Sequence, residues 1–342
     1  MKLANTTWIF VFLAMLAVTA GPYRAAGAVE LQESPAAISE ALSMRPSPSE
    51  GESLPWTEPV PRTSLSWFGL PNASAADIGV PLYEQDLQQG DFGFQLLPDG
   101  LIYRSYLAGP KEPRMSAGII SIPDDSTLWD ATIGGRLGIF RLGNSDPIRP
   151  RGFQVDVEAA AMVRLDIPEK VDVRSTDYRV GVPLTWGDEV NQWKFSYYHM
   201  SSHLGDEFWE KNADFPLFRQ ARDALVLGRS MYLTDSLRIY AEVGWAFYSV
   251  ASDPWEMQFG LDYVPRVATG LRGAPFFAVN GYLREELDFG GGLNAQAGWA
   301  WRADTRSHLL RLGFQYYNGA SPQYAFLPFH ETQYGAVLWY DF

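Results

Sequence analysis

The 342-residue chain contains no cysteine, which excludes disulfide stapling, thiol catalysis and cysteine-ligated metals at once. Histidine is nearly as scarce, with four in the whole chain, so imidazole chemistry has few places to sit. Positive charge is in deficit: 27 Lys and Arg face 40 Asp and Glu, for a net charge of −13. Nucleic acid is therefore not an expected partner, because binding it requires a basic footprint. Beyond the first twenty residues there is no apolar run approaching the length that carries a helix across a bilayer.

Aromatic residues are abundant instead, with 12 Trp, 17 Tyr and 20 Phe, while the mean hydropathy sits near neutral. A helical membrane protein would be far more apolar. A β-barrel confines its apolar band to alternate residues and averages out near neutral.

The start of the chain reads as an export signal. Lys2 supplies a charged head, Trp8 to Ala20 an apolar stretch, and Ala26-Gly27-Ala28 a small-residue cleavage site. The expectation is a cleaved leader over 1–28, whose removal takes away Lys2 and Arg24 and no acid. Residues 29–95 follow as a periplasmic linker, densest in Pro, Ser and Glu between Ser34 and Pro61. Such a composition offers too little apolar surface to offset the entropy of ordering it.

From about residue 115 the texture changes to period-two alternation. In Phe153 to Ile167 the residues Phe153, Val155, Val157, Val163, Leu165 and Ile167 share one parity, and Gln154, Asp156, Glu158, Arg164 and Asp166 the other. A strand separates these sets onto two faces, whereas a helix would mix them. Strands are expected near 115–122, 129–142, 152–167, 175–187, 191–203, 222–233, 236–249, 254–264, 274–285, 291–302, 306–318 and 331–342. The fold class that follows is all-β: a closed antiparallel transmembrane barrel of twelve strands over 96–342, with lipid outside and a polar lumen inside.

If both ends of the barrel are periplasmic, the two longest connections, near 204–221 and 319–330, lie outside the cell, while 143–151 and 265–273 are unusually long for internal turns. The last strand alternates Tyr334, Ala336, Leu338, Tyr340 and Phe342 and ends on the aromatic residue itself. That pattern resembles the terminal signal of bacterial outer-membrane barrels. It implies an outer-membrane location in a Gram-negative-type bacterium, outer-membrane lipids as surroundings, and recognition of Phe342 by the insertion machinery.

Two stretches, Leu107-Ala108-Gly109-Pro110-Lys111-Glu112-Pro113-Arg114 and Tyr198-His199-Met200-Ser201-Ser202-His203-Leu204-Gly205-Asp206-Glu207, resemble an uncharacterised bacterial family known as domain of unknown function 1207. The resemblance implies an outer-membrane barrel and leaves the activity open. Lys111 to Arg114 are read as a contact with the barrel's periplasmic rim.

The second stretch gathers the chain's reactive side chains. Strand parity sets His199, Ser201 and His203 on the outer face with Trp193, Phe195 and Tyr197. An imidazole two residues from a hydroxyl on one face can serve as its general base. This His-x-Ser pattern resembles outer-membrane phospholipases and lipid A deacylases, although Ser202 stands where the phospholipases have Asn. The resemblance makes Ser201 the nucleophile and His199 the base. Asp206, Glu207 or Asn212 from the following loop would then orient the imidazole, and the loop acids would alternatively hold a divalent cation such as calcium. No other cofactor is expected.

The opposite parity points Arg136, Asp156, Glu158, Arg164, Arg179, Lys194, Arg238, Glu242, Glu256, Asp262, Arg284 and Arg311 into the lumen. Open, they would line a narrow channel; mutually paired, they would plug it. Three readings of function therefore stand: an envelope structural or binding component, a lipid acyl hydrolase, and a narrow channel for small solutes.

Overall fold

A computed structural model describes residues 92–342, apart from 124, 217–219 and 304–307. The expected leader over 1–28 and the linker up to residue 91 lie outside the described residues.

Twelve antiparallel strands close into one barrel. In chain order they are β2 (Met115–Ser121), β3 (Thr127–Gly143), β4 (Gly152–Asp166), β5 (Asp172–Gly187), β6 (Asn191–Leu204), β7 (Gln220–Tyr232) and β8 (Leu237–Val250), then β9 (Trp255–Tyr263), β10 (Ala274–Arg284), β11 (Gly290–Arg302), β12 (Leu309–Ala320) and β13 (His330–Asp341). Each pairs with its chain neighbours, and β13 closes the ring on β2, with Tyr334 opposite Ser121 and Tyr340 opposite Met115. Closure turns the two outermost strands of the sheet into neighbours, which is how a barrel removes its open edges.

The strand ends fall within three residues of those expected from alternation. A short strand, β1 (Gly93–Leu96), was not foreseen; it pairs with the end of β3, Leu96 opposite Phe140 and Gly93 opposite Gly143. The expected boundary between linker and barrel at 95/96 thus cuts through β1.

Side-chain parity follows the expectation closely. Val157, Phe195, Phe259, Leu312 and Phe314 face outward, while Gln154, Asp156, Arg164, Lys194, Arg238 and Arg311 are buried inside. Asp341 marks one end of the barrel, here the near rim; the other is the far rim. The two longest connections, 205–219 and 321–329, lie at the far rim, and the first carries a short helix α1 (Asp206–Lys211). The C-terminal ring of Phe342 lies over Gly135 of β3, where a Cβ would come within 2.7 Å of the ring, and meets Tyr340 edge-on at 5.2 Å.

The lumen is filled. Between β1 and β2 the chain crosses the interior, burying Leu101, Ile102, Tyr103, Tyr106, Leu107 and Ala108. This irregular segment presents carbonyls without strand partners, and lumen arginines supply the donors. Arg238 donates to the carbonyls of Arg104 (2.8 Å) and Ser105 (2.7 Å) while ion-paired with Asp262. Arg141 donates to Asp99 (2.8 Å) and Gly100 (2.7 Å). Arg114 reaches the carbonyls of Tyr106 and Leu107 and pairs with Asp341 at 3.0 Å.

Lys111 therefore does not sit on the rim, whereas Arg114 lies at the near-rim end beside Asp341. Both are buried, Lys111 bonded to Asp177, because the segment has to satisfy its polar groups inside a closed wall. From the far side, Tyr324 to Leu327 plug the other end, with the Tyr324 amide donating to Asp177 at 3.0 Å and its hydroxyl 2.8 Å from that of Tyr282.

Replacing Arg238 with Ala leaves the buried Asp262 carboxylate with only the long Leu107 amide bond and removes the donor of two segment carbonyls. A loss of about 3–5 kcal/mol in unfolding free energy is expected, read from the urea midpoint of the refolded barrel. A shift below about 1 kcal/mol would show that the segment does not depend on this pair.

Candidate active site

β6 carries the His-x-Ser stretch three to five residues before its far-rim end at Leu204. Its inward residues are committed to the lumen: the Tyr198 hydroxyl bonds Glu256, Lys194 pairs with Glu242, and Ser202 bonds Asp177. That packing fixes the strand's rotation, so His199 and Ser201 stand on the outer wall and His203 is exposed beyond them. His199 and Ser201 lie two residues apart on one face, roughly 7 Å between Cα atoms.

The third residue comes from the neighbouring strand. β7 pairs with β6 in a register that sets Asp223 directly opposite His199, and Ala221 opposite Ser201. His199 Nδ1 lies 2.9 Å from Asp223 Oδ1, and the Tyr197 hydroxyl donates to the same oxygen at 2.7 Å. A carboxylate only accepts, so Nδ1 carries the proton and Nε2 is left as the basic nitrogen. The ladder between β7 and β8 shifts register at Asp223 and Ala224, a bulge beside the pair of the kind that re-aims a side chain.

Aromatic rings flank the group on the outer face. Tyr197 stacks on Phe247 at 6.3 Å, and Tyr178, opposite Ser201 on β5, meets His203 edge-on at 5.8 Å. Ser201 and His199 share the face, with no hydrogen bond between them among the described residues.

The expected loop partners do not join this group. Asp206 and Glu207 occupy the first turn of α1 and are exposed, and the Asn212 amide donates to the Phe208 carbonyl at 2.9 Å, closing its own helix. The imidazole is oriented from β7 because a paired strand holds a side chain at fixed register, which a loop does not. Among the described residues no three His, Asp or Glu side chains form a group able to hold a metal ion.

Asp223 had a signal in the sequence. On β7 the parity of Arg222, Ala224 and Val226 is inward, so Asp223 is an acid on an apolar outward face that also carries Leu225 and Leu227.

The lumen charges stand where parity placed them, and they are paired. Arg136 bonds Asp156, Arg179 meets Glu158 at 3.0 Å, Arg164 bridges Asp130 and Glu331 at 2.8 and 3.0 Å, and Arg311 meets Asp341 at 2.7 Å. Arg222 lies 3.5 Å from Glu256, and Arg284 pairs with Glu286 while lying over the Tyr324 ring. The aromatic residues of the crossing segment were missed. Tyr106 stacks on Tyr240 at 3.8 Å and donates to Glu242, but residues 97–114 carry no periodicity to announce them.

A family model described as "Protein of unknown function (DUF1207)" matches residues 71–342. No curated protein matches the chain. Among solved structures, outer membrane phospholipase A from Escherichia coli is 12% identical with a TM-score of 0.45, covering 70% of this chain and 94% of that one. The Salmonella typhi outer membrane phospholipase dimer with bound calcium is 12% identical with a TM-score of 0.44, covering 66% and 91%. The KdgM porin is 11% identical with a TM-score of 0.38, covering 67% and 98%. These are likenesses of barrel architecture and carry nothing about activity.

Proposed function

The chain belongs to the family described as a protein of unknown function (DUF1207), and from its geometry we propose an outer-membrane barrel whose outer wall bears a lipid acyl hydrolase site. The location is supported by the outward apolar face and inward charged face around a closed ring, which suits lipid outside and not water. The far rim is taken as extracellular and the near rim as periplasmic.

The observation that carries the hydrolase reading is the His199–Asp223 hydrogen bond of 2.9 Å on the lipid-facing parity, with Ser201 two residues along. The carboxylate accepts from both the imidazole and the Tyr197 hydroxyl, the arrangement that orients a general base. Ser201 lies three residues from the strand end, about 10 Å from the far rim.

In this reading the Ser201 oxygen attacks the ester carbonyl carbon while His199 Nε2 takes its proton. Asp223 stabilises the resulting imidazolium, which returns the proton to the departing alcohol as the C–O bond breaks. Water, deprotonated by the same nitrogen, then releases the fatty acid and regenerates Ser201. Tyr178, Tyr197 and Phe247 offer an apolar flank to the acyl chain.

Fatty-acid release from phospholipid micelles by refolded protein is the test. Ser201→Ala abolishes release, and Asp223→Ala lowers kcat by roughly 10²- to 10⁴-fold with little change in KM. No release from a demonstrably folded barrel overturns the hydrolase and leaves a sealed envelope component.

Asp223→Leu supplies a second readout. Near the membrane boundary a charge on the lipid face costs about 0–1 kcal/mol, so this variant unfolds in urea at the same concentration as the wild type or higher. A marked destabilisation would assign Asp223 a structural role.

The filled lumen opposes a channel. Planar bilayers containing the wild type are expected to show no steady conductance, and ohmic conductance of the purified barrel would contradict the filled interior.

A further inference from the structure

The near-rim connection 264–273 is long for a periplasmic turn, and its second half does not project from the rim. Trp299 and Trp301, both outward on β11, donate their indole N–H groups to the carbonyls of Arg272 (2.7 Å) and Leu271 (3.2 Å). Gly273, at φ +64°, passes between the two rings, where a Cβ would come within 2.6 Å of each. The base of the connection is fixed as well: the Thr269 amide donates to the Arg302 carbonyl at 3.1 Å, and the Arg302 amide to Thr269 Oγ1 at 2.9 Å. The turn Gly270–Arg272 is thereby clipped flat against the outer wall.

We infer that this clip is a phospholipid-anchoring site in the leaflet at the near rim, with Leu271 among the acyl chains and the Arg272 guanidinium at the phosphate level. The inference rests on the membrane location proposed above. Three observations support the occupant. Leu271 is fully exposed and Val267 more than half exposed on a wall that is otherwise apolar. The indole N–H groups and the carbonyls that receive them are mutually satisfied, so the clip presents no unpaired donor of those rings to lipid. Arg272 is the exposed cation at the tip, of the sign that a lipid phosphate takes. Trp299 and Trp301 lie three and one residues from the end of β11, roughly 3–10 Å from the rim, the depth at which interfacial residues embed.

The chain has no cysteine, so single labels can be introduced without background. Full-length protein refolded into phosphatidylcholine–phosphatidylglycerol vesicles would carry a nitroxide at Leu271→Cys, at the wall control Phe314→Cys, or at the rim control Asp235→Cys. Depth is read from collision rates with oxygen and with a water-soluble nickel complex. The expected result is an oxygen-to-nickel ratio at Leu271→Cys several-fold above that at Asp235→Cys and approaching that at Phe314→Cys. Adding Gly273→Ala, whose methyl cannot fit between the indoles, lowers the Leu271→Cys ratio towards the rim value.

A wall control in lipid with Leu271→Cys in water overturns the anchoring site alone. A wall control in water overturns the membrane location and the anchoring site together. If Leu271→Cys stays in lipid with Gly273→Ala present, the indole clip is not what seats it, and the site as described fails.

Discussion

Ring closure is the constraint on which the rest of this structure depends. Once β13 pairs with β2 the sheet closes on itself, and a wall side chain has two destinations, outside or lumen. The outside accepts apolar residues. The inside accepts a guanidinium only where acceptors replace the solvent, because taking it out of water otherwise costs several kcal/mol. Arg136 with Asp156, Arg179 with Glu158 and Arg311 with Asp341 meet that condition strand to strand.

The crossing segment between β1 and β2 extends the same logic to a piece of chain with no secondary structure. An irregular backbone buried in a barrel brings carbonyls that lack ladder partners, and this lumen offers guanidiniums with donors to spare. Arg141, Arg238 and Arg114 each serve a carboxylate, a side-chain amide or both, together with consecutive carbonyls of the segment, and Asn294 donates to Ala108 at 2.8 Å. Segment and wall are therefore complementary halves of one hydrogen-bonded interior, and neither would be satisfied alone. Tyr103 and Tyr106 add rings against Lys194 and Tyr240, filling space that arginine and glutamate leave.

Against this order, Asp223 is the exception. It is an acid with outward parity, and its neighbours explain its position only through His199 and Tyr197, which both bond its carboxylate. The bulge where β8 meets it shows the ladder yielding at that point. Departures from a local rule tend to mark function, and here the departure coincides with a base and a serine hydroxyl on the lipid-facing wall.

The sequence by itself determined the barrel, its strand ends, the face each side chain takes and the outward placement of His199 and Ser201, because a period of two is a local property that any single strand displays. The crossing of the lumen by residues 97–114, the small strand β1 and the identity of the residue that orients His199 were decided by tertiary structure. The crossing segment has no periodicity to read, and the alternation of Phe92, Phe94 and Leu96 with Gly93 and Gln95 is too short to announce a strand. The last depends on the register between β6 and β7: Asp223 stands 24 positions from His199 in the chain, and only the ladder that pairs them brings the carboxylate to 2.9 Å.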